Sequence, residues 1–283
     1  MARGKTPSDP AELEKLEWPY GWPPPWRNER LIGHEQAERT MLAAQQSGRL
    51  HHAWLLTGPR GIGKAEDGKV PGGLDWDFYL GPAPDVPFNK NRFLGTFRWF
   101  WDYAGGLMTD WGVHLVDYAL LGMNAKDPIS VMASGGKMAY PDDAAETPDT
   151  LATVYDFGEF IMLWEHAQAI NNGNYGKDHG IAYIGNNGTL VLDRGGWKVI
   201  TEGKNMETVE EVKKSDDGLA NHTRNFIEAV KSGNYSQLAA PIQAGATVAN
   251  VCQMGNIAYK TGRKLNWDKK TGTFNDAAAN KLI

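Results

Sequence analysis

The chain has 283 residues and a formal net charge of -5, with 41% hydrophobic and 22% charged residues. That length holds one large domain or two small ones, and the acidic balance argues against a nucleic-acid scaffold built on phosphate contacts. The single cysteine, Cys252, excludes an internal disulfide and a zinc site of several thiolates. No run of about 18 apolar residues occurs, so no membrane span is expected. Met1 to Pro10 lacks an apolar segment, so no secretory signal is expected either, and the expected location is cytoplasmic.

Residues 1–29 are charged and proline-rich around Pro23-Pro24-Pro25 and predict an extended or disordered tail. Residues 30–48 place Leu31, Ile32, Ala37, Met41, Leu42 and Ala43 among polar residues, the pattern of an amphipathic helix. His51 to Thr57 suits a short buried strand. Gly58-Pro59-Arg60-Gly61-Ile62-Gly63-Lys64 follows and matches a phosphate loop through its lysine. Gly58, Gly61, Gly63 and Lys64 are therefore an alternative phosphate-binding set, with ATP as the ligand. Position 65 is Ala, so the hydroxyl that would hold Mg²⁺ is absent. Ala65 to Gly73 carries too much Gly and Pro for the helix that should complete such a site. The expectation for 30–69 is an incomplete P-loop-like βα fragment and a junction, falling between Lys64 and Val70.

From Val70 onward the text changes. Asp75 to Pro84 is an aromatic loop punctuated by proline, and Arg98-Trp99-Phe100-Trp101-Asp102-Tyr103 is a second aromatic cluster. Such clusters form either a platform for a sugar ring or plain core packing. Gly105 to Asp117 then sets Asp110, His114 and Asp117 at i, i+4 and i+7, one face of a helix. An acid four residues from a histidine can orient the imidazole and raise its basicity for proton transfer; the plain alternative is an ordinary Asp–His hydrogen bond. Trp111, Leu115, Tyr118 and Leu121 are expected on the buried side.

After Asn124 the hydrophobic period becomes two. Ile129–Met132, Thr150–Phe157, Phe160–His166, Ile181–Ile184, Thr189–Leu192 and Trp197–Ile200 read as strands. Turns are expected at Phe157-Gly158, Asn186-Asn187-Gly188 and Asp193-Arg194-Gly195-Gly196. The polar stretch Asn171–Asp178 is a long loop able to reach a site. Leu219–Lys231 reads as a helix with Leu219, Phe226, Ile227 and Val230 on one stripe, ended by Gly233. Ile242–Lys260 reads as another, capped by Gly262, burying Val248, Val251, Cys252, Ile257 and Ala258. Residues 266–283 read as a short extended tail. The seven histidines are scattered, so no metal site is expected. The fold class is α+β: a mainly antiparallel open sheet with helices on one face, preceded by the P-loop-like fragment.

Two stretches resemble known families. Residues 30–65, from Leu-Ile-Gly-His-Glu-Gln to Gly-Ile-Gly-Lys-Ala, resemble the start of the delta-prime subunit of the bacterial DNA polymerase III clamp loader. Residues 70–283 resemble the C-terminal domain of the Gfo/Idh/MocA oxidoreductases, the glucose–fructose oxidoreductase and inositol dehydrogenase family. That resemblance rests on Trp76 to Pro84, Arg98 to Tyr103, Asp110-Trp111-Gly112-Val113-His114 and Gly255 to Lys264. It implies a substrate and dimerisation domain over 70–283, acting on a sugar or polyol with NAD or NADP. It also implies a homo-oligomer formed through the sheet face. His114 would serve as general acid/base, with Asp110 orienting it or fixing the substrate, and Arg98, Tyr103 and Asp117 would bind substrate. A dinucleotide fold needs a Gly-x-Gly-x-x-Gly turn inside a βαβ unit, and that family adds a Glu-Lys-Pro turn; neither occurs here. The dinucleotide domain is therefore expected to be missing. Two other readings stay open: an ATP-binding replication fragment, and a non-catalytic carbohydrate-binding or dimerisation module.

Overall fold

The computed structural model describes residues 67–170, 172–203, 209, 211–216 and 218–283. All belong to the second of two compact units, Arg60–Ile283. The proline-rich tail, the 30–65 resemblance and the phosphate-loop set lie outside the described residues.

The elements in chain order are α1 (Trp76–Leu80), α2 (Leu107–Met123), β1 (Ser130–Gly136), β2 (Thr150–Asp156), β3 (Ile161–Ala167), β4 (Ile181–Gly185), β5 (Gly188–Asp193), β6 (Gly196–Thr201) and β7 (Val212–Lys213). They continue with α3 (Leu219–Ser232), α4 (Ile242–Thr261), β8 (Leu265–Asp268), β9 (Thr273–Phe274) and α5 (Ala277–Asn280). The six strands read from the period-two pattern all form, close to their expected bounds. They do not join in one sheet. A five-stranded sheet runs β3-β2-β1-β8-β9 and a four-stranded sheet runs β4-β5-β6-β7. Every pairing is antiparallel. The split falls at the loop after β3, because β4 takes β5 as its hairpin partner instead of adding to β3.

The first sheet shows why alternation is so legible. Val131, Leu151, Thr153, Tyr155 and Trp164 point inward and are buried with Met108, Val116 and Leu120 of α2 and Val248, Val251, Cys252 and Ile257 of α4. The two helices thus cover one face. The opposite face carries Met132, Val154 and Leu163 in direct register across three strands. Met132 and Leu163 remain 46% and 54% exposed.

Two expectations are corrected here. The buried stripe of α2 is Met108, Gly112, Val116 and Leu120, spaced by four, whereas Tyr118 and Leu121 are 54% and 75% exposed. At 100° per residue, Tyr118 and Leu121 turn toward the Asp110 face, and only Trp111 and Leu115 flank the core. The helix expected over 219–231 forms as α3, ended by Gly233; Phe226 and Val230 of its apolar stripe are both 57% exposed, and Ala229 is buried. The segment 266–283 is no simple tail. Leu265, Phe274 and Ala279 are buried in the main core, and β8 adds the strand beside β1. Short strands of two to four residues carry too few alternations to be read in advance.

The connection from β1 to β2 is tied at one carboxylate. Asp149 is buried and accepts backbone N–H bonds from Met138, Ala139 and Tyr140 and a hydroxyl bond from Thr150. Burial pushes its pKa up, but these four donors together outweigh it and hold the carboxyl below its usual range. Because the folded pKa is depressed, the stabilisation is present above the unfolded value of about 3.9 and is lost as pH falls through the folded one. Replacing Asp149 by Asn should cost on the order of 1–3 kcal/mol at neutral pH, with the gap to wild type narrowing toward pH 3; urea unfolding at a series of pH values measures both.

Candidate active site

The site is built on the N-terminal half of α2, and glycines bring the chain there. Gly106, the N-cap, has φ 66° and ψ -156°. A Cβ on it would lie 2.7 Å from Thr147. A Cβ on Gly105 would collide with the buried Asn256 of α4. Instead the Asn256 amide donates to the Gly105 carbonyl at 3.0 Å, and the Gly106 N–H donates to the Arg98 carbonyl at 2.9 Å. The aromatic segment before the helix is held in turn by the β1–β2 connection. Glu146 and Thr147 donate their N–H groups to the Trp99 carbonyl, and Trp101 donates its N–H to the Glu146 carboxylate.

This arrangement delivers Arg98 to Asp110. Arg98 Nη1 donates to Asp110 Oδ2 at 3.0 Å, with both side chains partly exposed. The expected Asp110–His114 hydrogen bond is not formed. A guanidinium donates a stronger, charge-assisted bond to a carboxylate than an imidazole N–H does, and it wins the competition for Asp110. His114 is exposed and has no hydrogen bond or ion pair among the described residues, and neither does the exposed Asp117. Asp110, His114 and Asp117 share the face opposite the Met108–Gly112–Val116 stripe. The face is open, with Asp110 Oδ1 and the His114 ring available to a ligand.

Tyr103 is not part of this group. It packs on the cluster formed by Trp76, Leu80 and Phe88, where Trp76 stacks on Tyr79 at 5.1 Å and meets Phe88 edge-on at 5.0 Å. Its hydroxyl is buried without a partner, and burial raises its pKa. The loop from 75 to 93 is thus core packing; Trp76 donates its indole N–H to the Val86 carbonyl at 2.8 Å. Two other reactive side chains are structural. Cys252 is fully buried, which pushes its thiol up to about 12. His166 accepts from Trp164 Nε1 and faces the Pro148 carbonyl, and burial lowers its pKa. No group of three or more His, Cys, Asp or Glu suited to a metal ion stands among the described residues.

Sequence reading did not single out two residues that flank the helix. The His179 ring meets Trp111 at 4.9 Å and 62°, and the Arg194 guanidinium lies over the Trp111 ring at 4.9 Å. His179 follows directly on the polar loop expected over 171–178. No local pattern marks a turn arginine that contacts a helix some eighty residues earlier.

A family model described as the C-terminal alpha/beta domain of the oxidoreductase family matches residues 51–283, and its name is that of the Gfo/Idh/MocA proteins. The chain belongs to the Gfo/Idh/MocA oxidoreductase family. No curated protein matches it. Solved structures that do match include aldose–aldose oxidoreductase of Caulobacter crescentus, determined with glycerol, at 15% identity and a TM-score of 0.48, covering 61% of this chain and 51% of that one. The dehydrogenase WlbA of Bordetella pertussis, in complex with NADH and UDP-GlcNAcA, matches at 17% identity and a TM-score of 0.43, covering 60% and 48%. An oxidoreductase of Pseudomonas syringae matches at 13% and 0.45, covering 57% and 52%. The chain spans about half the length of these structures.

The described residues do not fit a dinucleotide. Their sheets are antiparallel throughout, and they contain no parallel βαβ unit with a glycine turn at a helix N-terminus.

Gly106→Ala tests the approach to the helix. The left-handed backbone and the Thr147 contact should together cost about 1–3 kcal/mol in chemical denaturation, with Gly72→Ala, in open space, as the neutral control.

Proposed function

We propose that residues 70–283 form the substrate-side domain of a Gfo/Idh/MocA oxidoreductase that binds a sugar or polyol on the Asp110–His114–Asp117 face. The observation that carries this reading is the exposed, unpartnered His114 beside a carboxylate that Arg98 already holds in place. A neutral imidazole with a free ring nitrogen can take the proton from a substrate hydroxyl, or return it. Asp110 keeps Oδ1 free to accept from a neighbouring hydroxyl, so it positions substrate more than it orients His114. Asp117, on the same face, offers a second acceptor. Arg98 acts through Asp110. A nicotinamide cofactor, NAD or NADP, would receive or supply the electrons in this family reading. The described residues offer no fold to hold it, so it would be held by another part of the polypeptide or by a partner chain.

Two experiments test the reading. Titration of the full chain with glucose and myo-inositol, followed by calorimetry, should give binding that His114→Ala weakens by roughly tenfold or more, the worth of one good polar contact. Binding that ignores the substitution would remove the site. In the same samples, NAD(P) reduction that is lost in His114→Ala would place the cofactor on this chain, and its absence would point to a partner chain.

We also infer a homo-oligomer through the outer face of the first sheet. Met132, Val154 and Leu163 form an apolar row across three strands, and Ile161 beside them is 61% exposed. Such contiguous apolar surface is uncommon on a free monomer. Met132→Lys with Leu163→Lys should shift the mass in light scattering from dimer to monomer. A wild-type chain that is already monomeric would refute this.

A further inference from the structure

The β5–β6 turn places a cation at the edge of the site in a way that needs a reason. Asp193 pairs with Gly196 across the hairpin, leaving Arg194 and Gly195 as its two turn residues. The turn is fixed from both sides of one carboxylate: Asp193 Oδ1 accepts the Gly195 N–H at 2.7 Å, and Oδ2 pairs with Lys177 at 2.7 Å. The one acid adjacent to Arg194 in sequence is therefore already engaged. Arg194 itself is exposed and makes no hydrogen bond or ion pair among the described residues. Its one recorded partner is the Trp111 ring, whose edge His179 also supports. Trp111 adjoins Asp110 and lies three residues before His114, next to it on the helix surface.

A guanidinium stacked on an indole is oriented without spending its hydrogen bonds. Its five N–H donors stay available, and they fit the paired oxygens of a carboxylate or phosphate. Arg98 is less suited to this part, because its charge is already paired with the Asp110 carboxylate. We propose that Arg194 reads an oxyanion on the substrate, so that the ligand of the His114 face is an acidic sugar, one bearing a carboxylate or a phosphate ester. This rests on the sugar-binding reading above and narrows it. The stack on Trp111 sets the guanidinium beside the face where a sugar ring would lie, and the Lys177–Asp193 pair keeps the turn from moving away.

The test uses the full chain and three probes: D-glucose, D-glucuronate and D-glucose 6-phosphate, titrated by calorimetry with tryptophan emission followed in parallel. One or both acidic sugars should bind roughly tenfold or more tightly than glucose, as expected for one charge-assisted contact. Arg194→Gln should abolish that preference while leaving glucose affinity and thermal unfolding unchanged, and Arg194→Lys should restore part of it. Preference for glucuronate alone identifies a carboxylate, and preference for glucose 6-phosphate alone a phosphate ester. Equal binding of all three sugars, still weakened by His114→Ala, would overturn the role of Arg194 and leave the site standing. An acid preference that survives Arg194→Gln would overturn it too. Binding of no sugar, or binding indifferent to His114→Ala, would overturn the site and this inference together.

Discussion

The structure depends on how closely α2 and α4 approach. Gly112 of α2 lies against Cys252, and a Cβ on Gly255 of α4 would strike the Tyr155 hydroxyl and lie 2.8 Å from Met108. Small residues on both helices let the backbones come together over the first sheet. At that depth Asn256, 2% exposed, gives its amide to the Gly105 carbonyl. A buried amide left without that acceptor would be costly, so the bond fixes the rotation of α4 against the start of α2. Everything on the opposite face of α2 inherits its position from this contact.

The electrostatics of the site follow from which group reaches Asp110 first. The i and i+4 spacing makes Asp110 and His114 neighbours, yet neighbours on a helix surface pair only when no stronger donor competes. Gly106 turns the chain so that the Arg98 carbonyl is bonded and its guanidinium falls on Asp110. The carboxylate is thereby fixed while the imidazole stays free to serve a ligand. A stacked arginine beyond Trp111 completes a face on which one guanidinium is paired and one is not.

Much of this was legible because alternation and helical periodicity report burial directly. The six long strands, the Gly233 and Gly262 caps, and the buried positions of α4 could be read from residue spacing alone. The errors share a cause. Tyr118 and Leu121 are as hydrophobic as core residues, but hydrophobicity says that a surface favours cover, not that this part of the chain supplies it. The division into two sheets and the placement of Arg194 over Trp111 are long-range choices that leave no local trace. Tyr103, given as a substrate contact by the family resemblance, packs against the aromatic cluster around Trp76.

The uncovered surfaces and the open site have a common logic. In open α/β sheets a dinucleotide lies in the crevice at the carboxyl ends of parallel strands, beside a helix N-terminus. Both sheets described here are antiparallel throughout, so no parallel strand ends form such a crevice among the described residues. On the reading proposed above, such a domain would supply substrate contacts and a proton acceptor, and a dinucleotide would be held elsewhere. The outer sheet face and α3 keep apolar residues exposed, Met132, Leu163, Phe226 and Val230 among them. Among the described residues His114 stands exposed on α2 without a hydrogen bond or ion pair, beside a carboxylate that Arg98 holds in place.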